Sequence, residues 1–110
     1  MAYVIERTFV RPDTSTAWPW ANVTSDKQTE IDAMRTAHNV TLTVTNSADN
    51  LSAVYTERCD SYNEYRYYFS QVKSLWTETG IVTEENASGV TTSTTAANNV
   101  SVTISVLENT

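Results

Sequence analysis

The sequence predicts an α+β domain of the ferredoxin-like, split β-α-β-β-α-β kind: a four-stranded antiparallel sheet with two helices on one face. Three observations carry this expectation. Period-two alternation opens, centres and closes the chain; two capping boxes each precede a stretch with helical spacing; and turn residues separate the two central alternating segments.

The first segment, AYVIERTFV, places Tyr3, Ile5 and Phe9 on one face together with Arg7, and Val4, Glu6, Thr8 and Val10 on the other. Arg11-Pro12-Asp13 ends this strand, since proline lacks a ladder donor, and Trp18-Pro19-Trp20 reads as an irregular loop pinned by its aromatics. Ser25-Asp26-Lys27-Gln28 fits a capping box, the serine accepting from the third helical amide and the glutamine reaching back. Ile31, Met34 and Ala37 or His38 form the inward stripe of that helix, which fades near Asn39. Val40 to Thr45 alternates three apolar residues with three threonines, and Asn46 to Asn50 supplies turn chemistry. Leu51 to Cys59 follows as a third strand, with Leu51, Ala53, Tyr55 and Cys59 sharing one parity, so the second and third strands form a hairpin.

Ser61-Tyr62-Asn63-Glu64 is a second capping box, and Gly80 followed by Ile81 reads as a helix stop. Between them Tyr62, Tyr65, Phe69, Val72 and Trp76 recur as one stripe facing the sheet, widened by Tyr68 and Leu75. Tyrosines at the margin of that stripe are expected to keep their hydroxyls in water, and Tyr67 points away from it. Residues 84–99 are polar and low in complexity, an expected exposed loop or small hairpin, and Asn99 to Val106 alternates as the last strand. The outer face of the sheet would carry Val4, Val10, Thr41, Thr43, Val54, Thr56, Ser101 and Thr103, a threonine-rich surface with few charges of the sort that meets another subunit.

At 110 residues the chain has the size of one domain, residues 1–110, and its 40% hydrophobic content takes it out of the disordered regime. Its net charge of −6, with seven scattered Lys and Arg, argues against nucleic acid as a partner, because phosphate neutralisation needs clustered cations. One cysteine and one histidine exclude an internal disulfide and a Cys/His zinc set. Neither a signal peptide nor a membrane span is recognised. The N-x-[ST] pattern at Asn22, Asn39, Asn50, Asn86 and Asn99 follows from the abundance of Asn, Ser and Thr.

His38 is the only side chain suited to acid–base work near neutral pH, but no nucleophile and carboxylate spacing surrounds it, and a helix-ending histidine is accounted for by capping. Cys59, on an apolar parity, reads as a small buried hydrophobe. Asp49, Glu57, Asp60, Glu64, Glu84 and Glu85 could offer oxygens to calcium, yet no D-x-[DN]-x-[DN]-G loop is present. Gly80 and Gly89 are too few for a phosphate loop. The expectation is therefore no catalytic, cofactor or metal residues, with partner contacts at Trp18, Trp20, Tyr67, Val4, Val10 and Val54, since aromatics dominate interface hot spots; for Trp18 and Trp20 the equal alternative is that they cover the open edge of this domain's own core.

The stretches AYVIERTFVRPDTSTAW and SYNEYRYYFSQ, with the capped helix and threonine-alternating hairpin between them, resemble small virion-associated proteins of tailed, especially marine, bacteriophages. The resemblance implies a non-enzymatic structural or accessory part: capsid decoration, connector or tail accessory. It implies many copies per virion, assembly in the host cytoplasm, and partners that are other virion proteins and copies of itself, with no cofactor. One alternative is a small dimeric cofactor-free monooxygenase of the ferredoxin-like fold, whose pocket His38, Asn39, Trp76 and the tyrosines of the second helix would line. Another is a cellular protein-interaction module.

Overall fold

The structure, a computed structural model, describes residues 2–78, 82–85, 91–95 and 100–109, and their side chains except at 22, 76–78, 82–85 and 91–95. Its elements are β1 (Tyr3–Val10), a 3-10 turn (Pro19–Asn22), α1 (Ser25–Ala37), β2 (Thr41–Asn46), β3 (Ser52–Cys59), α2 (Tyr62–Glu78), β4 (Val82–Glu85), β5 (Thr91–Thr95) and β6 (Ser101–Asn109). The main sheet has the order β2-β3-β1-β6, antiparallel at every pairing, which is the split β-α-β-β-α-β arrangement with β6 as its fourth strand. β4 and β5 form a separate two-stranded antiparallel sheet, with β4 beside α2 and β5 beside β6.

Alternation in β1 translates directly into burial: Tyr3, Ile5, Arg7 and Phe9 are buried toward the helices, and Val4, Glu6 and Thr8 are only half-covered. Register then assigns the other strands, because residues opposite each other share a face. Ala53, Tyr55, Glu57 and Cys59 face the helices from β3, and Thr41, Thr43 and Thr45 of β2 fall on the outer side opposite Arg58, Thr56 and Val54. Tyr3, Ile5, Ile31, Val40, Cys59, Tyr65, Tyr68, Phe69 and Val72 form the core, with Met34, Tyr62, Leu75 and Ile104 packed around it. Burying this much aliphatic and aromatic area is the main favourable contribution to the fold.

Several boundaries differ from the sequence expectation for identifiable reasons. α1 is capped by Thr24, whose hydroxyl accepts from the Lys27 amide at 3.3 Å, so Ser25 is already helical. Gln28, expected to reach back, donates instead to Asp32 one turn on. Two adjacent residues could cap, and the first of them does. Of the two alternatives for the end of the stripe, Ala37 is exposed and His38 is half-buried, and Arg35 is buried on the inward side beside Ile31 and Met34. Asn39 sits at φ 56, the Val40 amide donates to the Arg35 carbonyl at 2.8 Å and the Asn39 amide to the Thr36 carbonyl at 3.3 Å. That is a Schellman stop with buried Val40 as its hydrophobic contact, so Val40 belongs to the turn and β2 starts at Thr41. Asn39→Ala is expected to lose about 1 kcal/mol in thermal denaturation, and Asn39→Gly to lose nothing, because only the former carries the left-handed penalty without asparagine's local compensation.

The Ser61 hydroxyl accepts from the Glu64 amide at 3.2 Å, the expected half of the second box. β6 runs to Asn109, past Val106, with a bulge: Ile5 pairs with Val106 and Val4 with Glu108, leaving Leu107 unmatched and exposed. The expected stop at Gly80 and Ile81 lies outside the described residues.

Candidate functional site

The sequence reading missed the most unusual feature of the interior. Glu57 on β3 is buried between sheet and helices, and four groups converge on its carboxylate. Oε1 accepts from Arg7 Nη1 at 3.1 Å and from the Tyr65 hydroxyl at 2.9 Å. Oε2 accepts from Arg35 Nε at 3.1 Å and from the Tyr68 hydroxyl at 2.8 Å. A carboxylate offers about four lone-pair sites, and all four are taken. Arg7 Nη1 also donates to the Tyr65 oxygen at 3.0 Å, its guanidinium lies 5.1 Å from the Phe69 ring centroid, and Arg35 reaches Asp32 at 3.4 Å. Three elements are therefore tied to one carboxylate on β3: β1 through Arg7, α1 through Arg35 and α2 through both tyrosines.

Burial pushes the Glu57 carboxyl up, but Arg7 and Arg35 with the two tyrosine hydroxyls outweigh it and hold it below its ordinary value. Burial raises Tyr65 and Tyr68, so both stay protonated donors. One expectation is corrected here: the hydroxyls of Tyr65 and Tyr68 are buried on the Glu57 carboxylate rather than wet. One donor is left over: Arg7 Nη2 is buried without a hydrogen-bond partner.

His38 closes α1, and its ring Nδ1 lies 2.7 Å from Glu64 Oε1 at the start of α2, so the two helix ends are joined by side chains. The Cys59 thiol contacts the His38 carbonyl at 3.5 Å, and burial pushes its pKa up, making it a weaker acid, which suits the small-hydrophobe reading. Among the described residues no group of three or more His, Cys, Asp or Glu could hold a metal ion, and no helix is long and apolar enough to cross a membrane.

The six expected contact residues fall in three places. Val4, Val10 and Val54 share the outer face, where Glu6 and Thr8 separate Val10 from Val4 along β1 and Thr8 pairs with Val54 and Thr103. Trp18 and Trp20 are on the opposite, helix-facing side at the far end of the sheet: Trp20 packs at 5.1 Å on Phe9 and 4.9 Å on Tyr55. Trp18 stacks on Trp20 at 4.8 Å, and the Arg11 guanidinium lies over the Trp18 ring, 4.5 Å from its centroid. Both rings are half-buried within their own chain. Tyr67 is 66% exposed on the outward side of α2, in a groove of about 440 Å³ lined by Asn63, Arg66, Tyr67 and Ser70. Trp76, expected in a cavity beside His38, has its side chain outside the described residues.

No described element covers the outer face, and its charges are few: Glu6, with Arg58 and Glu108 paired at 3.7 Å across Val4. No protein-family model matches the chain, and no curated protein matches it in sequence. Among solved structures, the chain is similar to a de novo designed protein, Foldit4, at a TM-score of 0.48 and 7% identity over the whole of both chains. It is also similar to Rv0793 of Mycobacterium tuberculosis at a TM-score of 0.46 and 15% identity, over 100% of this chain and 98% of that one. What the topology establishes is an α+β fold of the ferredoxin-like kind, two helices backed by a four-stranded antiparallel sheet.

Proposed function

We propose that the chain is a non-enzymatic structural component that works by protein–protein assembly, a capsid decoration, connector or tail accessory protein of a tailed-bacteriophage virion. The observation that carries the assembly reading is the bare outer face of the sheet, a nearly neutral surface of Thr, Ser and Val on which Val10 is 42% exposed. The strand spacing of about 4.8 Å and rise of about 3.3 Å per residue give four strands of this length a projected area on the order of 450 Å², enough for the core of one standard contact. On a chain of net charge −6, such a face is where a neighbour docks with least repulsion. Support against a catalytic reading comes from the mutual pairing of the interior ionisable groups, which leaves Glu57 no free acceptor site for a proton or substrate. The phage context comes from the resemblance of AYVIERTFVRPDTSTAW and SYNEYRYYFSQ.

Mass spectrometry of purified particles tests both parts. The chain is expected in wild-type particles, and Val54→Lys, which places a charge at the middle of the face without touching the core, is expected to lower its copy number about tenfold or more. A chain abundant in the infected-cell lysate and missing from the particles overturns the proposal.

A further inference from the structure

The two edges of the main sheet are built differently. β6 is irregular and guarded: it carries the Leu107 bulge, its Glu108 pairs with Arg58, and β5 lies beside it. Among the described residues, β2 has none of these devices. Thr41–Asn46 contains no charge, proline or glycine, pairs with β3 without a register shift, and exposes five of its six residues, Val44 at 42%. Sheets ordinarily protect an edge with lysine, proline, a bulge or a covering element, since its outward backbone amides and carbonyls are a template for another strand.

We propose that the β2 edge pairs with β2 of a second copy of this chain, antiparallel about a two-fold axis at Thr43, joining two sheets into one of eight strands. This deepens the assembly reading and rests on it. A second copy is the occupant because the edge is complementary to itself. Centring on Thr43 sets Thr41 opposite the partner's Thr45 on the outer side and Leu42 opposite the partner's Val44 on the helix side, so hydroxyls meet hydroxyls and apolar side chains meet apolar ones. No like charges face each other, although the chain as a whole carries −6. A two-fold contact also closes on itself, so an unguarded edge yields a dimer instead of a fibre.

Sedimentation equilibrium of the full chain over a concentration series tests the pairing, using Thr43→Lys and Thr43→Glu. Thr43 is exposed, so each variant is expected to keep the wild-type circular dichroism spectrum. Each alone is expected to dissociate about tenfold more readily than the wild type, because like charges oppose at the axis, and an equimolar mixture is expected to recover a heterodimer. A wild type that stays monomeric overturns the pairing, as do variants that dimerise unchanged or a mixture that fails to recover. The assembly reading is decided separately by the particle mass spectrometry, so loss of the edge contact with the chain still in the particle removes only this inference.

Discussion

Glu57→Gln is expected to lower unfolding free energy by about 3–5 kcal/mol in urea denaturation, the range for removing one partner of a buried ion pair. Glutamine matches the shape but keeps one acceptor oxygen and turns an NH2 toward a site where Arg35 and Tyr68, or Arg7 and Tyr65, are donating. Two buried guanidiniums then lose their shared counter-charge. Against a total stability of about 5–15 kcal/mol for an ordinary domain, the loss is a large fraction. The wild type also carries an acid signature. Because the folded state holds the Glu57 carboxyl below its ordinary value of 4.5, the stability it contributes is complete above about pH 4.5 and is lost as pH falls through the folded value. Glu57→Gln removes that titration, so its stability is expected to fall less steeply on acidification than the wild type's. Equal steepness in the two proteins would mean that Glu57 is not the group responsible.

A wholly apolar replacement separates stability from specificity. Exchanging Arg7, Glu57 and Arg35 together for well-packed aliphatic residues, with Tyr65 and Tyr68 exchanged for Phe so that no hydroxyl is left without its acceptor, removes every charge of the cluster, and in general such exchanges are neutral or stabilising. The cluster's contribution is then one of arrangement: a single carboxylate accepts from α1, α2 and β1 together, which selects one seating of the helices on the sheet. The unpartnered Arg7 Nη2 fits this view, since a cluster optimised for stability alone would not leave a buried donor unmatched.

The fold was legible because alternation and capping are local signals. Strand order, face assignment and the outer surface of Thr and Val follow from parity once the hairpin of β2 and β3 is recognised. The cluster was only half legible. Arg7 visibly shares the apolar parity of β1, and Glu57 shares the parity of Ala53, Tyr55 and Cys59, yet each alone is an oddity in an otherwise apolar set. Only the β1–β3 register, which puts Ile5 opposite Glu57 and Arg7 opposite Tyr55, makes them diagonal neighbours. Arg35 was hidden for another reason: one position from Met34 and four from Ile31, it extends the inward stripe with a side chain whose long stem buries only when its charge has somewhere to go. Two buried strand charges of opposite sign on adjacent strands, with tyrosines on the covering helix, would have been the usable signal.

The tryptophan loop turns on the same register, because Trp20 docks on Phe9 and Tyr55, which β1 and β3 bring side by side. Trp20→Ala is expected to destabilise the isolated chain by about 2–3 kcal/mol, less than a fully buried tryptophan because the ring is half-covered. That is a fall in midpoint temperature of about 10 °C or more. Trp18→Ala removes the stack on Trp20 and the contact with Arg11, whose Nε and Nη1 remain held by the Asn50 and Thr16 carbonyls at 2.9 Å each, so about 1 kcal/mol is expected. In the double variant the losses are expected to fall short of additivity by about 0.5–1.5 kcal/mol, since the second substitution removes a stack already broken by the first. A loop that served only a partner would give the opposite pattern: unchanged midpoints for all three variants and a loss confined to association. The geometry favours the first pattern, because a ring wedged edge-on against Phe9 at 5.1 Å seals one end of the core, and its removal admits water to the helix-facing side of the sheet.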